Sequence, residues 1–422
     1  MSENVADFQA WKSKRKKRAY WPRIECPDFE RSREWTCTRF KIGLHWRSRW
    51  NGAKKTACSG CGTAYHCFYD KRWFRARDLD CGAYEVCLDF EYRRVACRKC
   101  GGVKREELEF LSADPRYTQR FAMKLGAMCR AMTISDVARH MRLDWHRVKD
   151  LDKIYMREQL ARTGPPKPNV IGVDEISIRK GHNYRIVVSD LEHRRAIWVG
   201  GEGRTEADMD KFYAQIGPEN AAQIRLAVMD MWKPFRKSTQ AHAPNAVILF
   251  DKFHVLRHLG EALDKVRKLE YARLTGDKRK FIKGQKYVLL SHRENLSPEG
   301  RHSLKTLLAA NKRLNTAYIL REQFDQLWAY RSEAWARKFF DNWKAQLRWQ
   351  RLEPFEKFAD MIERHWDGIA AYCKPENKVA LGFVEGLNNK IRVIQRRSYG
   401  FRDEEYLKLK ILTMSLPQLE NL

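Results

Sequence analysis

The sequence has no apolar run long enough to cross a bilayer. Its longest, residues 246–250, is far shorter than the roughly 20 residues that a membrane helix needs. The first eight residues lack a secretory pattern. Eleven cysteines, an odd number that includes two CxxC pairs, argue against a disulfide framework. We therefore expect a cytoplasmic protein with reduced thiols and no membrane partner.

Acidic residues are too few to balance the basic ones. The 422 residues include 82 Lys and Arg against 53 Asp and Glu, which gives a net charge of +29. An excess spread over most of the chain indicates a polyanionic partner. A chain of this length is expected to form two or three domains, at least one with a sizeable core. Residues 1–50 are predicted to form a basic N-terminal arm, either a solvated tail or a contact to nucleic acid, and a strand over 40–46.

Two cysteine pairs predict a zinc site, Cys58 with Cys61 and Cys97 with Cys100. Each pair is followed by a glycine, which can adopt the positive φ that turns backbone N–H groups toward sulfur. Four thiolates complete a closed tetrahedral zinc shell. We predict a zinc-binding, ribbon-like domain over residues 51–115 with structural Zn²⁺. His66 and Cys67 remain alternative ligands.

The other cysteines are interpreted as small buried residues: Cys26, Cys37, Cys81, Cys87, Cys129 and Cys373.

Residues 116–162 predict a helix-turn-helix. A short helix over 135–141 is followed by a turn at Arg142 and Leu143, and Asp144 is placed to cap a second helix. Small and apolar residues fall where the two helices would cross. The side chains left to face a major groove are Trp145, His146, Arg147 and Lys149. An ordinary helical hairpin is the alternative.

After a Pro/Gly-rich linker at 163–168, the pattern changes from helices to strands. Residues 170–173, 184–188 and 196–199 predict three consecutive strands, followed by a helix capped by Thr205. Two further strands, 224–229 and 246–250, end at Asp230 and Asp251. Residues 254 to about 375 are helical and basic. The predicted class is α/β, a mixed-sheet core over 169–260 and 376–415 with an all-helical insertion at 261–375.

Three carboxylates are predicted to meet in this core. Asp174 and Asp230 each end a strand, and Glu385 lies on a helix that can pack across the sheet. Such a group repels itself unless cations lie between its members, and two Mg²⁺ ions are the usual solution for phosphodiester chemistry. No Ser–His pair or Gly-rich phosphate loop is evident. Asp251 is the main rival to Asp230.

Basic residues follow Glu385 on the same predicted helix: Lys390, Arg392, Arg396 and Arg397. They are predicted to clamp DNA phosphates; a solvated helix face is the alternative.

These motifs together resemble the ISL3 family of bacterial insertion-sequence transposases. The resemblance runs through most of the chain and is most specific at DKFHV (residues 251–255) and VEGLNNK (residues 384–390). It also includes the cysteine pairs, TQRF at 118–121, GVDE at 172–175, MDM at 229–231 and RRSYGFR at 396–402.

The resemblance implies an RNase H-like core whose DDE triad falls on Asp174, Asp230 and Glu385 and holds two Mg²⁺ or Mn²⁺ ions. It implies cleavage of double-stranded DNA at terminal inverted repeats, strand transfer by the freed 3′-OH into target DNA, and a homodimer or larger assembly. Asp251 and His254 match a signature of related transposases and are expected to shape the site or contact DNA. The expected location is the bacterial cytoplasm, with the nucleoid when DNA is bound.

Two other functions remain open at this point. One is a catalytically inactive, zinc-containing DNA-binding regulator, and the other is an RNase H-like nuclease that cuts branched DNA. Trp232, two residues after Asp230, is a candidate for stacking on an unpaired base, although core packing is the commoner role of a tryptophan.

Overall fold

The computed structural model describes residues 29–38, 41–50, 55–82, 84–179, 183–380, 382–398 and 400–419. The chain divides into two compact units, Met1–Leu125 with Glu420–Leu422, and Gly126–Leu419. The predicted basic arm and Cys26 lie outside the described residues, as does the side chain of Cys37. Within the described ranges, no helix has both the length and the apolar character needed to cross a membrane.

The first unit is built on a mixed β-sheet. Its strands are β1 (Phe29–Thr38), β2 (Lys41–Trp50), β3 (Thr56–Ala57), β4 (Ala64–Tyr65), β5 (Asp70–Cys81), β6 (Tyr84–Ala96) and β7 (Val103–Arg105). The order is β1-β2-β6-β5 with β7 beside β6, and β3 pairs with β4. Val86 and Phe90 are buried on β6, which fits the alternation in the sequence. β6 leads directly into the second cysteine pair.

Three helices follow, α1 (Gln119–Ala131), α2 (Ile134–Met141) and α3 (Trp145–Thr163). Asp144 caps α3 by accepting a hydrogen bond from the N–H of His146, and Arg142 ends α2 in the left-handed region at φ +52°. The predicted helix, turn and cap are therefore confirmed. Both α2 and α3 belong to the same compact unit as the second sheet.

The second unit contains a five-stranded sheet. Its strands are β8 (Val170–Arg179), β9 (Asn183–Asp190), β10 (Arg195–Gly200), β11 (Leu226–Met229) and β12 (Val247–Phe250). The order is β10-β9-β8-β11-β12, with β8, β11 and β12 mutually parallel and β9 antiparallel to both of its neighbours.

The expectation that β8 ends at Asp174 is wrong. Its parallel pairing with β11 stops at Val173 opposite Met229, but its antiparallel pairing with β9 continues to Arg179. β11 is a short strand, so its pairing with β8 ends early. The longer strand β9 continues to pair with β8 beyond that point. Asp174 therefore lies where the parallel part of the sheet ends and not at the end of its strand.

Helices α4 (Glu206–Ile216), α5 (Pro218–Ala222) and α6 (Lys233–His242) lie between the strands in sequence. Thr205 caps α4, as the sequence predicts, and it forms a reciprocal capping box with Asp208.

The helical insertion comprises α7 (Lys252–Arg273), α8 (Gly276–Gly284), α9 (Lys286–Leu290), α10 (Pro298–Ala310), α11 (Lys312–Phe324), α12 (Glu333–Leu347), α13 (Glu353–Arg364) and α14 (Trp366–Ala370). The predicted start of the insertion at residue 261 falls inside α7, because this helix begins directly after β12 and continues without a break. Its apolar residues form one hydrophobic cluster with the sheet, in which Phe340 and Leu263 join Val173 and Phe250. Gly368 permits this contact, because a Cβ there would lie 2.5 Å from the Phe250 ring. The insertion is thus packed onto one face of the sheet.

The opposite face is covered by α15 (Gly382–Arg397) and α16 (Glu404–Thr413). The helical spacing of Val384, Leu387, Ile391 and Ile394 predicts one apolar stripe, and the first three of these are the buried residues of α15. α15 crosses β8 closely: a Cβ on Gly172 would lie 3.0 Å from Val384 Cγ2 and 2.9 Å from the Ser189 hydroxyl.

Candidate functional site

Three aspartates lie side by side where the parallel strands end. Asp174, Asp230 and Asp251 each follow the last paired residue, since Val173 pairs with Met229 and Met229 pairs with Phe250. The residues two positions earlier, at 172, 228 and 249, all contact or cluster with Val384 of α15. Because side chains alternate along a strand, the three carboxylates share the face that α15 covers.

Asp174 and Asp251 are placed where ionisation is costly. Burial raises the pKa of Asp174, and the neighbouring Asp230 adds to this, while the N–H of Glu175, His254 and Asn388 act in the opposite direction. Burial also raises the pKa of Asp251, with contributions from the other two aspartates. Crowded, partly buried carboxylates of this kind favour the binding of a cation.

Two further side chains complete the group. Asn388 of α15 donates a hydrogen bond from Nδ2 to Asp174 Oδ2, and its Oδ1 is buried without a protein partner. His254 Nδ1 lies 3.5 Å from Asp230 Oδ2 and is likewise buried without a hydrogen-bond partner. In the sequence, Asn388 lies one turn after Glu385 on the same helix face, but nothing there indicates its contact with Asp174.

Glu385 is exposed in the first turn of α15, one turn before Asn388. Among the described residues, two groups of potential metal ligands bring all their ligand atoms within 4.8 Å of one another, the four predicted zinc cysteines and a group of His292, Glu322 and Asp325. The triad of Asp174, Asp230 and Glu385 does not form such a group. The structure therefore brings together two of the three predicted catalytic carboxylates and places the third on the helix beside them.

Asp251 and Asp230 differ in what already occupies their side chains. Asp251 is buried and caps α7, accepting a hydrogen bond from the N–H of Phe253 at 2.9 Å. Asp230 is only half-buried, and its Oδ1 accepts from the N–H of Met231 at 2.6 Å. Asp230 is thus the more accessible of the two.

Glu175 points to the opposite face of the sheet from Asp174 and pairs with Arg204 at 2.6 Å. The Arg204 guanidinium lies 4.1 Å from the Tyr184 ring and 5.6 Å from the Trp232 ring. Trp232 donates from Nε1 to the Arg204 carbonyl and is 43% exposed, so the expectation that it packs in the core is wrong. Nothing in the sequence marks Arg204 except its place in a Gly-rich loop.

The four predicted zinc cysteines converge. Cys58 and Cys100 have their sulfurs 4.0 Å apart, and those of Cys61 and Cys97 are 3.6 Å apart. A tetrahedron with zinc–sulfur bonds of about 2.3 Å has sulfur–sulfur edges of about 3.8 Å, so the group has the size of a zinc shell. The glycines that follow the pairs have φ of +67° and +69°, as the turn chemistry requires.

Tyr65 supports this cluster by donating its hydroxyl to Cys97 Sγ at 3.2 Å. That hydrogen bond and the N–H of Cys100 lower the pKa of Cys97 to about 6. Hydrogen bonding with Cys61, together with burial, raises the pKa of Cys100 to about 12. The shifts oppose each other because four crowded thiols cannot all ionise without a cation.

The remaining cysteines divide by burial. His66 and Cys67 are exposed and stand outside the four-cysteine group, so neither replaces a ligand in this arrangement. Cys129 and Cys373 are buried as predicted, but Cys81 and Cys87 are only half-buried.

The predicted DNA-binding residues of α3 separate into two sets. Trp145, His146 and Arg147 are exposed, with the first two rings stacked at 3.5 Å. Lys149 instead points toward α16, where its Nζ lies 2.6 Å from Asp403 Oδ2. The expectation that Lys149 faces outward is corrected, because α16 covers that side of α3.

The basic residues of α15 separate in the same way. Lys390 donates to the Met414 carbonyl at 2.9 Å and Arg397 donates to the Ala131 carbonyl. Both side chains are therefore turned toward other segments of the same protein. They line a cavity of about 1410 Å³ whose walls include α2, α3 and α16. Arg392 and Arg396 remain exposed beyond Glu385.

Comparisons with known proteins agree with this organisation. Residues 171–411, more than half of the chain, match a family model described as a transposase, and residues 106–153 match one described as the helix-turn-helix domain of transposase family ISL3. The chain is 35% identical over 362 residues to the transposase for insertion sequence element IS1001 of Bordetella parapertussis, covering 85% of this chain and 88% of that protein. It is 26% identical over 399 residues to the transposase for insertion sequence element IS1557 of Mycobacterium tuberculosis, covering 87% and 88%.

Proposed function

The chain belongs to the ISL3 family of transposases, and from this premise we propose that it cuts DNA at the terminal inverted repeats of its own insertion sequence and joins the freed 3′-OH ends to target DNA. The observation that carries the proposal is the adjacency of Asp174 and Asp230 on one sheet face, with α15 packed across it. A sheet of order 3-2-1-4-5 with only the second strand antiparallel to its neighbours supports an RNase H-like DDE core.

We propose that Asp174, Asp230 and Glu385 hold two Mg²⁺ or Mn²⁺ ions. The donor set fits, because hard cations prefer oxygen ligands and keep waters and substrate phosphates as the rest of their shell. The orphaned Oδ1 of Asn388 adds one buried oxygen beside Asp174. Such ions supply activation of the attacking oxygen and stabilisation of the leaving oxygen in phosphodiester chemistry.

The protein's own contribution is to hold the carboxylates in place. Asn388 fixes the orientation of Asp174 through its amide, and His254 lies beside Asp230. Asp251 anchors the start of α7 behind them, which agrees with a role in shaping the site. Glu385 lies one turn from Asn388 on the same helix, which is packed across β8.

Separate parts of the chain are proposed to bind the DNA. Trp145, His146 and Arg147 of the helix-turn-helix at 116–162 would read the terminal repeats from a major groove. Arg392 and Arg396, exposed beyond Glu385, would contact the phosphates of the strand being cut. The net charge of +29 suits a duplex whose binding is dominated by phosphate contacts.

We also propose that the cysteine group of the module at 51–115 holds structural Zn²⁺. It is supported by the sulfur spacing and by the Tyr65 hydrogen bond to Cys97, the kind of outer contact that orients a ligand. Structural zinc of this sort contributes directly to folding.

Both ends of an insertion sequence must be cut and joined together. We therefore propose a homodimer or larger assembly on DNA, acting in the bacterial cytoplasm at the nucleoid.

The test is to incubate the protein with Mg²⁺ and a duplex that carries the inverted repeats flanking its gene. We expect nicked and joined products. Asp174→Asn and Glu385→Gln should abolish them while affinity for the duplex stays unchanged. Glu376→Gln, which alters an exposed carboxylate outside the site, should behave as the unsubstituted protein does.

Other results would point to other functions. Binding without any cleavage would indicate a DNA-binding regulator. Cleavage of branched DNA that ignores the repeats and never joins strands would indicate a structure-specific nuclease. Full activity in Asp174→Asn or Glu385→Gln would contradict the assignment of the site.

A further inference from the structure

Helix α16 has different partners on its two sides, and the first is the second helix of the helix-turn-helix, α3. Asp403, at the start of α16, lies 2.6 Å from Lys149 Nζ and 2.8 Å from Lys153 Nζ. Glu405 lies 2.8 Å from Lys153 Nζ and also accepts a hydrogen bond from Arg157. The three basic residues recur every fourth position of α3 and so form one stripe, which α16 neutralises.

A buried contact lies beneath these ion pairs. Asp152 of α3 is 0% exposed; it accepts a hydrogen bond from the Tyr406 hydroxyl and lies 2.6 Å from Lys410 Nζ. A buried carboxylate of this kind is tolerated only while its partners stay in place. The contact between α3 and α16 is therefore specific in register.

The other side of α16 is joined to the catalytic sheet. Glu404 receives two hydrogen bonds from Arg185 of β9, at 2.7 and 3.0 Å. Leu407 and Ile411 share a hydrophobic cluster with β9 and β10 residues Val187 and Val199. Since β9 pairs directly with β8 through Asp174, α16 links the helix-turn-helix to the strand that carries a proposed catalytic carboxylate.

The segment after α16 also contacts the helices of the predicted DNA-binding domain. Arg130 of α1 donates to the Leu416 carbonyl at 2.7 Å, and Gln159 of α3 donates to the Pro417 carbonyl at 2.6 Å. The Leu419 N–H in turn donates to the Tyr155 hydroxyl at 3.1 Å. Helices α1 and α3, which the sequence predicts as part of a separate DNA-binding domain, are thus held against the core.

We propose that α16 is a spacer that fixes the distance between the DNA sequence read by α3 and the bond cut beside Asp174. The proposal rests on the proposed function. Consecutive phosphates of one strand are about 3.4 Å apart along the duplex axis, so a shift of α3 by a few ångströms exposes a neighbouring bond to cleavage. Asp403 and Glu405 act as positioning residues, because they hold α3 in register without touching the reacting atoms.

The first test changes the DNA and leaves the protein intact. Footprinting defines the bases protected by the protein, and a duplex with two extra base pairs between those bases and the cut is compared with the natural duplex. In the longer duplex, the cut should keep its distance from the protected bases and so move by two base pairs relative to the terminal sequence. Alternatively, cutting should be lost while binding persists. A cut that stays at the original terminal sequence would overturn the proposal. No cutting of either duplex would instead contradict the proposed function.

The second test loosens the contact. The double variant Asp403→Asn with Glu405→Gln should spread the cut over several neighbouring bonds, while affinity for the duplex changes less than about threefold, within the usual effect of exposed ion pairs. Glu353→Gln, which removes a more exposed ion pair with Lys357 in the insertion, should cut at one bond only. A single unchanged cleavage position in the double variant would overturn the assignment of Asp403 and Glu405.

Discussion

Asn388 donates a hydrogen bond to Asp174 across 214 positions of the sequence. This contact joins α15, the helix that carries Glu385, to the strand that carries the first proposed catalytic carboxylate. The neutral amide satisfies one oxygen of Asp174 and adds no charge to a site where burial already raises the pKa of that carboxyl group. Asn388 therefore positions Asp174 and leaves its charge to be balanced by a cation.

Asn388→Ala should lower the rate of Mg²⁺-dependent cleavage by about 10–100-fold, the usual effect of losing an outer contact to a metal ligand. Affinity for the end duplex should not change, because Asn388 does not lie on the proposed DNA-reading surface. Asn389→Ala is the matched control, since Asn389 is exposed and contacts Arg392 of its own helix. Equal rates for the two variants would contradict the role given to Asn388.

Asp230→Asn and Asp251→Asn should distinguish the roles of two neighbouring carboxylates. Asparagine caps helices as well as aspartate does, so Asp251→Asn preserves the cap on α7 and should keep most of the activity and stability. Asp230→Asn removes a proposed metal ligand and should lower single-turnover cleavage on the order of a thousandfold or more, as for other groups that act as a catalytic unit. The opposite pattern would move the second triad position to Asp251.

Local signals in the sequence predict the elements around this site well. Asp144 and Thr205 cap the helices that they are expected to cap, because a capping side chain bonds to backbone only two or three residues away. The apolar stripe of α15 is likewise buried as its spacing predicts. Such patterns depend on residues that are close together in the sequence, so they can be recognised without knowledge of the fold.

The partners of charged side chains cannot be predicted in the same way. Lys149 has the spacing of a groove-facing residue, but its partner Asp403 lies in another helix far along the chain. Arg204 is held between two aromatic rings that come from different strands and loops. Periodicity states which face of an element is buried, whereas the identity of the covering element depends on the tertiary fold.

Tyr65→Phe should weaken zinc binding by about tenfold, because it removes the hydroxyl that donates to Cys97 and such contacts tune metal affinity by 10–100-fold. Competition with a chromophoric chelator measures the affinity, and elemental analysis should give about one zinc per chain for a closed four-cysteine site. Cys67→Ser is the control and should leave the affinity unchanged, since Cys67 lies outside the group. Zinc loss in Cys67→Ser alone would revise the ligand set.

Trp232→Ala should lower the stability of the protein only slightly, and it should lower the affinity for DNA by a larger amount. Trp232 is 43% exposed, so we expect its removal to lower the free energy of unfolding by less than about 1 kcal/mol. If it stacks on a base, affinity for an end duplex with unpaired bases at the cut should fall by about 1–3 kcal/mol. Trp343→Ala, which empties a buried site, should cost about 3–5 kcal/mol in urea unfolding. Equal stability losses would make Trp232 a structural residue.

Asp403→Asn should destabilise the protein at neutral pH but not in acid. Partial burial opposes ionisation of Asp403, but hydrogen bonds from Lys149 and Lys153 outweigh it and hold the pKa of Asp403 well below its usual range. A carboxyl group with a lowered folded-state pKa contributes stability above its unfolded pKa of about 3.9, and this contribution is lost as the pH falls through the lower folded value.

Because the carboxylate is partly exposed, we expect Asp403→Asn to lower the free energy of unfolding by about 1 kcal/mol at neutral pH. Asparagine retains the cap on Tyr406 N–H that Asp403 provides, so the difference reports the loss of the charge and of its contacts to Lys149 and Lys153. Urea unfolding across the acid range should show it shrinking below about pH 4. Asp360→Asn, in a more exposed pair with Lys344, should show no such trend, and a pH-independent difference for Asp403→Asn would mean that packing and not the ion pairs holds α16 against α3.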